Sequence, residues 1–349
     1  MNFKPDYRNM LEVAQNQRPG RLPVYEHLIS PLLMERVLGH TFADLYDGDA
    51  LDIEQYFENY CNFFRQMTYD TVSFEVCLCS VLPEAGALFG GTGPIQNRDD
   101  FINYPWPRLH ALYWEHAQVR FESLVKTLPE GMKIVGGVGN GVFEVSQDLV
   151  GLESLAYMQI DDPGLFAELY RKIGEVLCQL WTTLLDRYAD SFVVCRFGDD
   201  LGFKSGTLTS PAVIRNHIIP QYQQIVNIIK SYNKPFLLHS CGNIFEVMND
   251  LLAVGIDLKH SNEDVIAPFD KWIDLYGHRI GLVGGIDVDL LCKEMPETIK
   301  EIVFEAGKRY RDTAKGYALG SGNSIPDYVP VEGYLAMIEA AIKIRECNG

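Results

Sequence analysis

The chain has 349 residues, 47% hydrophobic and 22% charged, a globular composition long enough to bury a large core. Its net charge of -17 repels phosphate backbones and anionic lipid, which makes nucleic acid and membrane surfaces poor partners. No apolar run reaches the roughly 20 residues of a spanning helix. The start, MNFKPDYR, lacks the apolar stretch of a secretory signal, so a cytoplasmic location is expected.

In chain order, eight short apolar runs read as strands: 23–28 (PVYEHL), 71–78 (TVSFEVCL), 133–139 (KIVGGVG), 191–198 (SFVVCRFG), 235–242 (PFLLHSCG), 257–261 (DLKHS), 280–287 (IGLVGGID) and 317–325 (YALGSGNSI). Continuous apolar runs suit parallel strands buried on both faces. Helical patterns lie between them, at 108–126, 163–188, 211–232, 243–254 and 331–345. The pair Ser210-Pro211 opens one of these helices and Gly255 closes another. Strand–helix alternation repeated eight times predicts an α/β fold, a (β/α)8 TIM barrel, as a single domain over 1–349. Extra helices precede the barrel, and the Gly/Pro-rich loop 82–97 reads as its cap. A doubly wound sheet is the alternative, weakened because no G-x-G-x-x-G opens the first helix. The eight cysteines are scattered through the chain, several inside strand-like runs, which is not a disulfide framework.

The active site of such a barrel lies at the C-terminal ends of its strands. His239 and Cys241 stand two apart at the end of the fifth run. Residues i and i+2 of a strand share a face, so imidazole and thiol would converge on the mouth. Together they are half of a tetrahedral zinc site; the competing reading is a core histidine beside a buried cysteine. Asp199 and Asp200 end the fourth run, either as a solvated turn or helix cap or as groups orienting substrate or a metal ligand. Glu26 and His27 end the first run on opposite faces, so at most one meets the mouth, with Glu26 a ligand or base. Cys77 and Cys79 share one face of the second run, as packing or as ligands. His260, Asn262, Glu263 and Asp287 are polar groups of the pocket rim or loop residues that cap the following helices.

The run FLLHSCG at 236–242, followed by Asn243-Ile244 and Gly255-Ile256-Asp257, resembles the uroporphyrinogen decarboxylase superfamily. More closely it resembles the corrinoid-dependent methyltransferase branch, typified by methylcobalamin:coenzyme M methyltransferases. Gly198-Asp199-Asp200-Leu201-Gly202 with Ser210-Pro211, Gly151-Leu152-Glu153, and Gly284-Gly285-Ile286-Asp287 extend the likeness, strongest from about residue 136 to 340.

The resemblance implies a zinc-dependent methyltransferase with a corrinoid, methylcobalamin or a corrinoid protein, as co-substrate and partner. It implies His239 and Cys241 as zinc ligands, with a third ligand, a cysteine, at the end of the last strand; here that position is Ser321. Glu26, Asp199, Asp200 or Cys77 could take its place. Asp200, Glu26 and Asp199 are then the catalytic candidates, and Asn262, Glu263 and Asp287 the cofactor-binding ones. The decarboxylase itself matches less well: its first strand is arginine-rich, and residues 23–30 contain no arginine. A cofactor-free decarboxylase and a non-catalytic corrinoid-binding barrel are the alternative functions.

Overall fold

The computed structural model describes residues 3–263 and 265–347. Seven parallel strands form one sheet in chain order: β1 Thr71–Cys77, β2 Lys133–Gly139, β3 Phe192–Gly198, β4 Phe236–His239, β5 Leu258–His260, β6 Gly281–Ile286 and β7 Tyr317–Ser321. Helices separate consecutive strands, the longest being Pro163–Tyr188, with Asp162 capping its first turn. Nearest-neighbour parallel order with intervening helices is the pattern of a TIM-like barrel.

The run 23–28 was expected to be a strand, but it forms only isolated bridges, Val24 to Leu319 with Ile29 to Ile325 just beyond it. The reason lies on its other edge. The His27 carbonyl accepts from the Ser73 hydroxyl at 2.6 Å and from Arg196 Nη1 at 2.9 Å, so side chains occupy the place of a backbone ladder to β1. The segment still touches both β7 and β1.

Two helices also depart from the expectation. The helix expected over 243–254 begins only at Met248, because the Asn243 N–H is taken by the Phe203 carbonyl across the loop. The helix expected over 211–232 contains a wider π turn, Ile214–Ile218, just before Pro220, which has no N–H to give the α ladder. Extra helices do precede the sheet, at Arg8–Ala14, Pro31–Leu38 and Ala50–Gln66. The loop 82–97 docks on the helix Val142–Val150, with Ile95 N–H donating to the Leu149 carbonyl at 3.0 Å.

Inside the sheet, Tyr25, Val194, Leu237, Leu258 and Val283 form an apolar layer with Met10 and Val13 of the helix Arg8–Ala14. The Val13 carbonyl sits so close that a Cβ at Gly281 would come within 2.3 Å of it. The helix therefore packs against the N-terminal ends of β6 and β7, opposite the strand ends that carry the polar residues.

Candidate metal centre

β4 buries Leu237 and His239 on the same inner face, two residues apart. The chain then turns sharply. Gly242 has φ +80°, and a Cβ there would lie 2.1 Å from the Gly202 carbonyl carbon, so only glycine fits where the two loops meet. This turn leaves Cys241 half-buried with Sγ 3.4 Å from His239 Nε2. Asp200, just beyond β3, closes the group: its Oδ1 accepts the Cys241 N–H at 2.8 Å and lies 4.0 Å from His239 Nε2.

The donor atoms of Asp200, His239 and Cys241 all lie within 4.8 Å of one another. Zinc bonds of about 2.0–2.3 Å at tetrahedral angles place ligand atoms roughly 3.5 Å apart. The observed 3.4 and 4.0 Å bracket that spacing, and the N, S, O donor set is one that zinc accepts. Beside the sulfur, Asn323 Nδ2 lies 3.6 Å from Cys241 Sγ and 3.2 Å from Glu263 Oε1. Burial, followed by the charges of Asp200 and Glu263, pushes the Cys241 thiol well up.

Two more imidazoles complete a buried cluster. The β4–β5 register sets His239 against His260, whose Nδ1 atoms are 2.8 Å apart. His27 stacks on His239 with centroids 3.7 Å apart and planes 15° from parallel. These three rings also bring nitrogens within 4.8 Å. Stacked rings, however, aim their in-plane lone pairs side by side and not at a common point, so this trio is not arranged as a three-histidine metal site. Burial pulls all three rings down, His260 to about 3, and holds them neutral.

Glu26 faces away from His27: its carboxylate accepts the Ser321 N–H at 2.8 Å and pairs with the Ser321 hydroxyl at 2.5 Å. Burial pushes it up to about 8 against those two bonds. The Ser321 side chain is thus turned to Glu26 and not to the Asp200–His239–Cys241 group. Asp199 caps the helix Val142–Val150, accepting from the Phe143 and Glu144 N–H groups at 2.9 and 2.7 Å and from the Tyr222 hydroxyl at 2.5 Å. Asn262 is buried and braces β6, accepting from Gly285 N–H and donating to the Val283 carbonyl, each at 3.0 Å. Asp287 caps the helix Val288–Lys293. Glu263 and Asp287 line a cavity of about 430 Å³ with Lys204, Asn323, Ser324 and Tyr328. Cys77 lies 3.9 Å from Glu75 Oε1 and takes no part in either group of metal-capable residues.

Sequence reasoning gives Lys259 no role. It is fully buried on β5, where its ammonium donates to the Ser240 and Ser261 carbonyls at 3.0 and 2.6 Å, beside the Trp272 ring. Burial pulls it down to about 7. The available signal was a lysine in the middle of a strand-like run, Leu258–His260, on the buried sheet. The Asn323 contact with Cys241 had no such signal, because it spans 82 residues.

Among the described residues no helix is long and apolar enough to cross a membrane. No curated protein is similar in sequence at a significant level. Among solved structures, the chain is similar to a methyltransferase from Methanosarcina mazei, with TM-score 0.71, 17% identity, and coverage of 96% of this chain and 97% of that one. It is more distantly similar to a glycoside hydrolase family 5 enzyme from Prevotella bryantii, with TM-score 0.45, 11% identity, and coverage of 81% and 86%. At 17% identity the likeness to the Methanosarcina mazei methyltransferase is one of fold. Residues 7–344 match the family described as Uroporphyrinogen decarboxylase (URO-D), and the chain belongs to that family.

Proposed function

We propose that this protein is a zinc-dependent methyltransferase that moves a methyl group between a corrinoid and a thiol or small methylated substrate. The observation that carries the reading is the convergence of His239 Nε2, Cys241 Sγ and an Asp200 carboxylate oxygen at neighbouring strand ends. Family membership and the fold shared with the Methanosarcina mazei methyltransferase support it.

Zinc bound there would lower the pKa of an acceptor thiol or polarise a methylated donor. His239, Cys241 and Asp200 hold the cation, Asp200 taking the place of the cysteine expected at 321. The Asn323 amide donates toward the sulfur and is itself steadied by Glu263. Burial and the charges of Asp200 and Glu263 favour the Cys241 thiol over the thiolate, and a dication bound there would offset them. The adjoining cavity, lined by Glu263, Asn323 and Tyr328, receives the small substrate. Glu26 and Asp199 act only indirectly in this reading, through Ser321 and through the helix that Asp199 caps. The segment 23–28 fills the eighth barrel position and the loop 82–97 covers part of the mouth. A cytoplasmic location, with the acidic surface docking a corrinoid protein, belongs to the same reading.

The decarboxylase alternative is less well supported. Arg196 is fully buried and committed to Glu75, Tyr25 and the His27 carbonyl. The cavity offers Lys204 against Glu263, Asp287 and Asp289, a balance that repels a polycarboxylate. Two measurements test the proposal: elemental analysis of the wild type and of His239→Ala with Cys241→Ser, and consumption of methylcobalamin against a panel of thiols. About one zinc per chain, lost in the double variant, and thiol-dependent demethylation are expected. Full zinc retention in the double variant would overturn the site, and metal-free turnover of uroporphyrinogen would favour the decarboxylase.

A further inference from the structure

We infer that His260 is a positioning residue that dictates which nitrogen of His239 is free, through a hydrogen-bond relay from the Ser321 backbone carbonyl to His239. The relay can be followed atom by atom. His260 Nε2 lies 3.0 Å from the Ser321 carbonyl oxygen. A carbonyl only accepts, so this nitrogen carries the proton. In a neutral ring the other nitrogen, Nδ1, then holds a lone pair, and it lies 2.8 Å from His239 Nδ1. An acceptor at that position obliges His239 Nδ1 to donate. His239 is thereby the Nδ1–H tautomer, and its Nε2 lone pair faces Cys241 Sγ at 3.4 Å and Asp200 Oδ1 at 4.0 Å. The reverse polarity needs both nitrogens of His260 protonated. That imidazolium would be fully buried, bonded to a carbonyl and a neutral ring, with no anion on either nitrogen.

The fold holds each member of the relay in place. The β4–β5 register sets the two rings side by side. Gly284, with φ +107°, makes room: a Cβ there would lie 2.6 Å from the Ser321 oxygen and 3.0 Å from His260 Cδ2. The stacked His27 ring fixes the plane of His239. Position 321 thus acts on the site through its backbone carbonyl, while its side chain is bound to Glu26. A partner that orients a metal-binding histidine from its far nitrogen typically carries a 10–100-fold effect on affinity.

The inference deepens the proposed zinc site and rests on it for the affinity readout alone, since the tautomer is a property of the metal-free protein. Long-range ¹H–¹⁵N correlation spectra of histidine-labelled, metal-free protein read that tautomer directly. Wild type is expected to show His239 as Nδ1–H. His260→Phe, which fills the space without a nitrogen, is expected to lose that preference and to bind zinc about 10–100-fold more weakly in chelator competition. His260→Gln, which offers both an acceptor oxygen and a donor amide, is expected to restore the tautomer and most of the affinity. An Nε2–H tautomer in the wild type overturns the relay, whether or not the phenylalanine variant folds. An unchanged tautomer and affinity in a folded His260→Phe overturns it as well. Nδ1–H in a wild type that binds no zinc supports the relay and overturns the zinc site instead.

Discussion

The sheet interior has two layers built from the same strands. At one level stand Leu237, Leu258 and Tyr25, packed with Val13 of the helix Arg8–Ala14. Two residues further along each chain segment stand His239, His260 and His27. The strand pleat makes these successive inward positions, so one backbone register serves both layers. The apolar layer gains from burial and has one polar atom to match, the Tyr25 hydroxyl, which accepts from Arg196 Nη1 at 3.0 Å. The imidazole layer costs desolvation and persists because most of its polar atoms are matched: His260 to the Ser321 carbonyl, His239 to His260 and Cys241. The difference teaches where to look for function: the strand ends are where buried polarity is retained at an energetic cost.

The sharpest way to break the comparison is to change each layer alone. His239→Ala with Cys241→Ser is expected to cost more zinc affinity than the 10–100-fold, roughly, that an outer partner costs, measured by chelator competition. Asp200→Asn, which removes a direct anionic ligand from a half-exposed loop, is expected to weaken zinc by at least the roughly 10–100-fold of an outer partner and to leave the urea midpoint of the metal-free protein unchanged. Leu237→Ala, in the apolar layer, should do the opposite: a loss of about 2–5 kcal/mol in urea unfolding, with zinc affinity intact. Zinc loss in Leu237→Ala comparable to that in Asp200→Asn would show that the layers are not separable.

Glu26 sharpens the same contrast through pH. Its folded pKa, raised by burial to about 8 from 4.5, means that the folded protein keeps a proton that the unfolded chain releases. Its contribution is therefore fully present below about pH 4.5 and is lost as pH rises through 8. Between pH 5 and 8 wild type is expected to lose on the order of 3–4 kcal/mol relative to Glu26→Gln. Parallel pH profiles of the two proteins would refute the buried, protonated state. The smallest effect is expected for Lys259→Met, which leaves the Ser240 and Ser261 carbonyls without their donor and costs about 1–2 kcal/mol in urea unfolding.

The strand–helix alternation was legible because parallel strands buried on both faces are continuous apolar runs. β2 falls where KIVGGVG places it, and the helix Pro163–Tyr188 where its apolar spacing and opening proline place it. The segment 23–28 was misjudged because side chains of Ser73 and Arg196 take its carbonyl, which no local pattern records. In the site, the closeness of His239 and Cys241 follows from their spacing. Asp200 joins them through a loop contact to the Cys241 N–H, so sequence left it one of four substitutes for the expected cysteine. Asp199 shows the limit of reading adjacent carboxylates: one caps a helix and its neighbour meets the thiol, and only the backbone turn between them decides which. The His27 stack and the Asn323 amide depend on contacts more than 80 residues apart in sequence.

X-ray absorption at the zinc edge of the purified protein tests the central claim most directly. A site of His239, Cys241 and Asp200 predicts bound zinc with a single sulfur at about 2.3 Å and nitrogen or oxygen neighbours at about 2.0–2.2 Å, the sulfur shell vanishing in Cys241→Ser. Zinc absent from the protein, or coordinated without sulfur, would contradict it.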